Sequence, residues 1–292
     1  CYYEHPSKKM FCYGVTGTNG KTSTTYLIEH ILNQNQLATG VLGTINHHLG
    51  EQIFESTMTT PGPVELQKRL KEFCESGARA IAMEVSSHAL DQYRADSVNW
   101  DVVIFTNITR DHLDYHKSMQ EYFEAKQRLF NELLDNSSKQ SLFAVVNAHD
   151  PASGQLKISR RARKITFGIG QGDCQAEIRR MTFRSTHLTI TFENETEEFE
   201  FPMAGEHNVL NALAAIAATS CQGISLNKAC QALSSFQGVP GRLEIVNVSK
   251  QVHVFVDYAH TPDALESVLN TLIKIRSATK RSCHIHCLFG CG

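Results

Sequence analysis

The stretch Gly14-Val-Thr-Gly-Thr-Asn-Gly-Lys-Thr-Ser-Thr24 decides the fold. It follows a short apolar run, Phe11 to Thr16, and opens a helical pattern from Thr22 to Asn33. A glycine-rich turn between strand and helix lets backbone N–H groups approach an anion, and the helix N-terminus adds a favourable dipole. Lys21 would bring positive charge to the β- and γ-phosphates of a nucleotide, and the Thr22 hydroxyl would ligate Mg²⁺. Gly17, Thr18, Asn19, Gly20 and Ser23 complete the candidate loop. Five residues separate Gly14 from Gly20, one more than the strict phosphate-loop pattern. A glycine-rich turn in an unrelated α/β protein is the competing reading. The Lys-Thr pair favours the nucleotide site, because turn geometry alone does not need it.

Outward from this loop, strand and helix patterns alternate. Ala38 to Ile45, Ala80 to Val85, Val102 to Thr106 and Leu142 to Val146 read as buried strands. Val64 to Cys74 and Met119 to Leu134 read as helices. This order predicts an α/β fold with a mostly parallel sheet flanked by helices. Arg179 to Met203 alternates apolar and polar residues and predicts a small antiparallel addition. Helices are predicted over Asn208 to Thr219 and Leu226 to Ser235, the first of them buried around Ala212 to Ala218. Gly238-Val-Pro-Gly-Arg242 marks a hinge. Beyond it Leu243 to Val248, Val252 to Val256, a helix from Pro262 to Ile275 and a strand from His284 to Phe289 open a second α/β unit. The expected division is 1–238 and 239–292.

The 292 residues are 41% hydrophobic and 20% charged, with a net charge of −2. That balance suits a folded globular protein and argues against a nucleic-acid partner driven by phosphate contacts. No apolar run is long enough to span a bilayer, so no membrane partner is expected. Nine scattered cysteines without a C-x-x-C pair read as free thiols in a reducing, cytoplasmic setting. A start at Cys1 and an end at Gly292 suggest a piece of a longer protein.

The loop and seven further motifs, in order, carry a resemblance. They are the loop itself, Thr59-Thr-Pro-Gly-Pro63, the run 83–94 (MEVSSHALDQYR), the run 106–116 (TNITRDHLDYH), the run 124–130 (EAKQRLF), the run 205–215 (GEHNVLNALAA), and GVPGRLEIV with VDYAHTPDAL at 238–246 and 256–265. Together they resemble the Mur ligase family, and most closely its branch that adds the third residue to the peptidoglycan stem peptide. Folylpolyglutamate synthases share a related loop.

The resemblance implies three domains: a UDP-binding domain, a central ATPase domain, and a Rossmann-like C-terminal domain. This chain would carry the second and the start of the third. It implies an ATP-dependent ligase that acts, as a monomer, on UDP-N-acetylmuramoyl dipeptide and an amino acid. The acid is activated as an acyl phosphate, and meso-diaminopimelate is favoured over L-lysine as the incoming residue. Another amide ligase of this fold and a plain nucleotide-binding module are the alternatives.

The resemblance also implies residue roles, each with a plainer reading beside it. Glu84 would bind Mg²⁺; alone, it is a charge at a strand end. His112 would serve a second Mg²⁺; by chemistry it reads as a capping or hydrogen-bonding residue, since hard cations favour oxygen. Lys126 would be carbamylated and join the metal site; by charge it reads as a solvated surface lysine. Thr59, Thr60, Ser86, Gln92 and Arg94 would hold the peptide acceptor. Arg94 suits a carboxylate, while a threonine of the Thr-Thr-Pro run could instead cap the next helix. Ser86 lacks the elbow motif of a nucleophilic serine. Asn208, Arg242, Asp257 and His260 would contact adenine, ribose and phosphate; helix capping, hinge solvation and turn chemistry are their plainer readings.

Overall fold

In the computed structural model, residues 2–247, 252–279 and 284–290 are described. In chain order the strands and helices are β1 (Phe11–Thr16), α1 (Lys21–Gln34), β2 (Thr39–Leu42), β3 (His47–Leu49), β4 (Gln52–Phe54), α2 (Pro63–Glu75), β5 (Ala80–Glu84), α3 (Ser87–Asp91), β6 (Val102–Phe105) and α4 (Met119–Arg128). They continue with β7 (Leu142–Asn147), β8 (Ala162–Ile169), β9 (Cys174–Met181), β10 (Thr186–Phe192), β11 (Glu195–Phe201), α5 (Glu206–Ser220), α6 (Leu226–Ser234), β12 (Glu244–Asn247), β13 (His253–Val256) and α7 (Pro262–Thr279). One sheet holds eleven strands in the order β11-β10-β9-β8-β7-β6-β1-β5-β2-β3-β4. The pairs that join β2, β5, β1, β6, β7 and β8 are all parallel. β9 joins β8 in parallel, β9–β10 and β10–β11 pair antiparallel at one edge, and the antiparallel β3–β4 hairpin closes the other.

Period-two alternation assigns each β1 side chain to a face. Tyr13 and Val15 join the core beneath α1, α5 and α6. Cys12 joins the opposite core beneath α2 and α4. Gly14 points to that second side, where a Cβ would lie 2.9 Å from the Trp100 ring. Glycine here makes room for a fully buried indole. α5 is buried along nearly its whole length, including the apolar run from Ala212 to Ala218 that the sequence marks as a buried helix. Its alanines let it lie close against α1.

After residues 238–242, β12 and β13 pair antiparallel in a separate two-stranded sheet and α7 follows; this is the smaller unit. Ala204, Leu243, Leu272 and Ile275 form a third apolar cluster that joins this unit to the larger one. Among the described residues, no helix is long and apolar enough to cross a membrane.

Three sequence expectations change. The strand expected over His284 to Phe289 is absent: 284–290 carry no regular structure, and Leu288 and Phe289 are exposed. An apolar run becomes a strand only where a neighbour offers a ladder, and β12–β13 has no third member among the described residues. The strand from Leu243 begins at Glu244, and its expected end, Val248, lies outside the described residues. The helix at Met119 continues past Arg128 as a π-helical turn, Leu129–Leu133. The β3–β4 hairpin, the short α3 and β8 were not anticipated.

Candidate active site

β1 is central, flanked by β5 and β6, so the carboxyl ends of three parallel strands open onto one crevice, where such sheets place ligands. The loop after β1 crosses this crevice. Gly17 has φ 151°, and a Cβ on it would lie 1.9 Å from Thr106 Oγ1. Gly20, at φ 89°, caps α1, and a Cβ there would lie 2.4 Å from Asn211 Oδ1 of α5. Asn107 holds the loop from beneath. Its Oδ1 accepts the Asn19 N–H at 2.9 Å, and its Nδ2 donates to the Asn19 carbonyl at 3.0 Å. Thr106 donates to the same carbonyl at 2.6 Å.

Lys21 folds its amine back onto the loop, donating to the carbonyls of Gly17 (2.9 Å) and Thr18 (2.8 Å). Burial lowers its pKa, opposed by Glu84 and Asp111. Lys126 is not the solvated surface lysine that its charge suggests. It is 1% exposed, donates to the Gly17 carbonyl at 2.9 Å, and lies 4.3 Å from the Tyr122 ring centroid. Tertiary contacts override the default because α4 crosses directly over the loop, and Tyr122, one turn earlier, faces the same way. Burial pushes the Lys126 amine well below its ordinary range, and the nearby Lys21 adds to that shift.

Glu84 ends β5 with 1% exposure. Its Oε1 accepts the Thr44 N–H at 2.9 Å and its Oε2 the Thr44 hydroxyl at 3.0 Å. His112 has φ 53°, and its N–H is accepted by Asp111 Oδ1 at 2.8 Å. Its ring packs edge-on against His88 at 4.9 Å between centroids. Burial lowers the His112 pKa against the pull of Asp111.

One cavity of about 390 Å³ is lined by Thr18 to Ser23, Thr59, Thr60, Glu84, Ser86, Arg94, His112, Lys126, Arg242 and His260. The remaining walls include Thr44, His88 and Asp111, which sequence reasoning did not single out. On this cavity wall Thr22 and Glu84 supply oxygen donors of the kind Mg²⁺ favours, whereas the Lys126 amine offers it no oxygen. Among the described residues no three His, Cys, Asp or Glu side chains converge on a ready-made metal site. Mg²⁺ at nucleotide sites takes one or two protein ligands and completes its shell with phosphate and water oxygens, so no such cluster is required.

The acceptor set divides. Thr59, Thr60, Ser86 and Arg94 line the cavity; Gln92 is exposed, donates to Tyr115 Oη at 3.2 Å, and does not. The Thr60 hydroxyl is engaged within the scaffold, donating to the Glu84 carbonyl at 2.8 Å and accepting the Ser86 N–H at 3.0 Å. Ser86 caps α3 by accepting the Ala89 N–H at 3.1 Å. Neither Thr59 nor Thr60 caps α2, whose cap is Gly62 without a side-chain bond. Arg94 donates to the Thr60 carbonyl.

A second cavity of about 250 Å³ adjoins the loop through Asn19, Gly20 and Ser23. Asn208, Asp257 and His260 line it, as does Arg242, which joins the two cavities. Asn208 does not cap α5; it lies inside the first turn and donates to the Ala204 carbonyl at 2.7 Å. Arg242 reaches from the smaller unit to donate to Thr22 Oγ1 at 3.1 Å. Asp257 accepts the N–H groups of Leu243 (2.6 Å) and Ala259 (2.8 Å). Phe167, Leu210 and Val268 supply apolar walls, and Asn147, His207 and Asn211 polar ones. Asn107 and Asn211 lay inside quoted motifs, yet an amide in a loop or helix gives no chemical signal by itself.

The family described as "Mur ligase middle domain" matches residues 15–219, and "Mur ligase, glutamate ligase domain" matches 241–292. The chain is 38% identical over its whole length to the UDP-N-acetylmuramoyl-L-alanyl-D-glutamate--2,6-diaminopimelate ligase of Bacillus cereus, covering 59% of that protein. It is 42% identical to the ligase of the same name from Aquifex aeolicus, over 94% of this chain and 55% of that one. The chain thus spans less than two thirds of the length of these relatives. A solved structure of a ligase of that name superposes with TM-score 0.79 at 29% identity, covering 90% of this chain and 54% of the other. A folylpolyglutamate synthase from Mycobacterium tuberculosis shares the fold at 16% identity, with TM-score 0.75 over 92% of this chain and 68% of its own. The two family matches between them span residues 15–292 apart from a short gap, and on that ground this chain belongs to the Mur ligase family.

Proposed function

We propose that this chain is the catalytic core of an ATP-dependent amide ligase that adds meso-diaminopimelate to UDP-N-acetylmuramoyl-L-Ala-D-Glu in cytoplasmic peptidoglycan synthesis. The observation that carries this reading is the convergence of the phosphate loop, Glu84, His112, Lys126 and the acceptor-side residues Thr59, Ser86 and Arg94 on one cavity. In it an acid and a triphosphate, which repel each other, can be brought together by cations. The larger unit, 1–238, would be the ATPase domain, and 239–292 the start of the ligase domain.

Bound Mg²⁺, held by Thr22 and Glu84 at one position and by His112 and a carbamylated Lys126 at a second, would neutralise charge on the phosphates. The loop N–H groups and Lys21 orient the γ-phosphoryl group. A carboxylate oxygen of the acceptor attacks that phosphorus and ADP leaves, giving an acyl phosphate. The amine of the incoming residue then attacks the carbonyl carbon, loses a proton and expels phosphate. Lys126 is suited to carbamylation because the reaction with CO₂ needs a neutral amine, and burial favours that form. The second cavity, with Asn208 and Asp257, would take the adenosine, and Arg242 would bridge base and phosphate sites.

The test is ADP release measured with each acceptor in turn. Turnover that requires the UDP-linked dipeptide and diaminopimelate together supports the reading. Turnover with a pterin glutamate, or with no acceptor at all, would replace it with a folate ligase or a plain ATPase.

A further inference from the structure

Thr44 follows Gly43 at the end of β2 and lines the larger cavity. It holds both oxygens of a buried carboxylate, giving its N–H to Glu84 Oε1 at 2.9 Å and its hydroxyl to Oε2 at 3.0 Å. The close approach depends on the preceding residue, since a Cβ on Gly43 would lie 2.3 Å from Glu84 Oε1. The Thr44 hydroxyl also lies 3.1 Å from Thr59 Oγ1.

Proton counting gives this chain a direction. A hydroxyl carries one proton and two lone pairs, and an ionised carboxylate only accepts. The Thr44 proton therefore goes to Glu84. The contact between the threonines must then use the Thr59 proton, donated to Thr44. Thr59 is left with lone pairs, and no proton, to offer the cavity. We propose that Thr44 is a positioning residue: it aims the Glu84 carboxylate at the metal, and through the same hydroxyl it fixes Thr59 as a hydrogen-bond acceptor for an N–H group of the bound acid substrate. One side chain would thus set both the cation ligand and the polarity of the acceptor subsite.

The proposal rests on the reading of Glu84 as a metal ligand, and the experiment separates the two. Mn²⁺ affinity is measured by electron paramagnetic resonance in the presence of a non-hydrolysable ATP analogue. The proteins are wild type, Thr44→Val, Thr44→Ser, Thr59→Val and Glu84→Gln, each with its melting temperature. Thr44→Val keeps shape and the backbone bond but removes the hydroxyl. It is expected to weaken Mn²⁺ by roughly 10-fold, the loss of one hydrogen bond to a charged group. Thr44→Ser should restore wild-type affinity, and Thr59→Val should leave Mn²⁺ unchanged while raising KM for the acid substrate. Wild-type Mn²⁺ affinity in Thr44→Val, with weakened binding in Glu84→Gln, would overturn the positioning role and leave the metal reading intact. Unchanged affinity in Glu84→Gln would overturn both. If Thr44→Val melts early, the Thr59→Val result decides: an unchanged KM for the acid overturns the proposal.

Discussion

Lys21 and Lys126 donate to one and the same acceptor, the Gly17 carbonyl oxygen, each at 2.9 Å. Two amines converge on a single backbone dipole in a buried setting, and each cation disfavours the other. Burial and the charge of Lys21 both press Lys126 toward its neutral form. On the proposed reading, the loop would separate the roles of two chemically identical side chains, Lys21 as a cation for phosphate and Lys126 as a nucleophile for CO₂.

Lys21→Ala should weaken binding of a non-hydrolysable ATP analogue by roughly 100-fold, within the range for losing a bond between charged groups. Calorimetry on the variant is the check. Retained affinity would mean that the loop binds phosphate through backbone amides alone.

Lys126 should yield a carbamate carbon signal when the protein is equilibrated with ¹³C-bicarbonate, and Lys126→Ala should lack it. The same variant should lose ligation while its nucleotide affinity changes by less than about 10-fold, since Lys126 faces the loop carbonyl rather than standing at the helix N-terminus. Lys126→Arg should fail as well, because a guanidinium stays charged. Normal product formation by Lys126→Ala would refute the role.

Gly17→Ala combines a left-handed φ with a Cβ 1.9 Å from Thr106 Oγ1. It should destabilise the fold by about 2–4 kcal/mol and abolish nucleotide binding. Gly62→Ala, where φ is −61° and no atom lies within 4 Å, should stay within about 1 kcal/mol of wild type. Thermal melts of the pair test the contrast.

His88, His112 and His116 form one packed group, with His88 centroids 4.9 Å from His112 and 5.7 Å from His116. Burial is the main cause that lowers the pKa of each. Below the ordinary imidazole value of 6.5 the unfolded chain therefore binds more protons than the folded one. Stability should fall as pH drops from 6.5 toward the lowered values, and rise with pH across that window. The urea midpoint of wild type, followed from pH 7.5 to 5, should fall relative to that of His116→Phe. A constant difference would show that His116 does not contribute.

The parallel sheet, the glycine-rich turn between β1 and α1, and the break in pattern before β12 could be read directly from the chain. Each rests on local chemistry: apolar runs of strand length, glycines that permit an unusual φ, a Lys-Thr pair at a helix start. The antiparallel edge was legible for the same reason, as period-two alternation over β10 and β11. The β3–β4 hairpin was missed because its strands are three residues each, too short to show a period.

The sequence by itself determined which chemical groups were available and which segments would carry them. Tertiary structure decided who meets whom. It turned Lys126 inward onto the Gly17 carbonyl and set Thr44 between Glu84 and Thr59. It left Gln92 outside the cavity, and it brought Arg242 to Thr22. These contacts join residues fifteen to more than two hundred positions apart. Their free energy comes from burial and hydrogen bonds that exist only after the sheet has formed, so no local pattern could announce them.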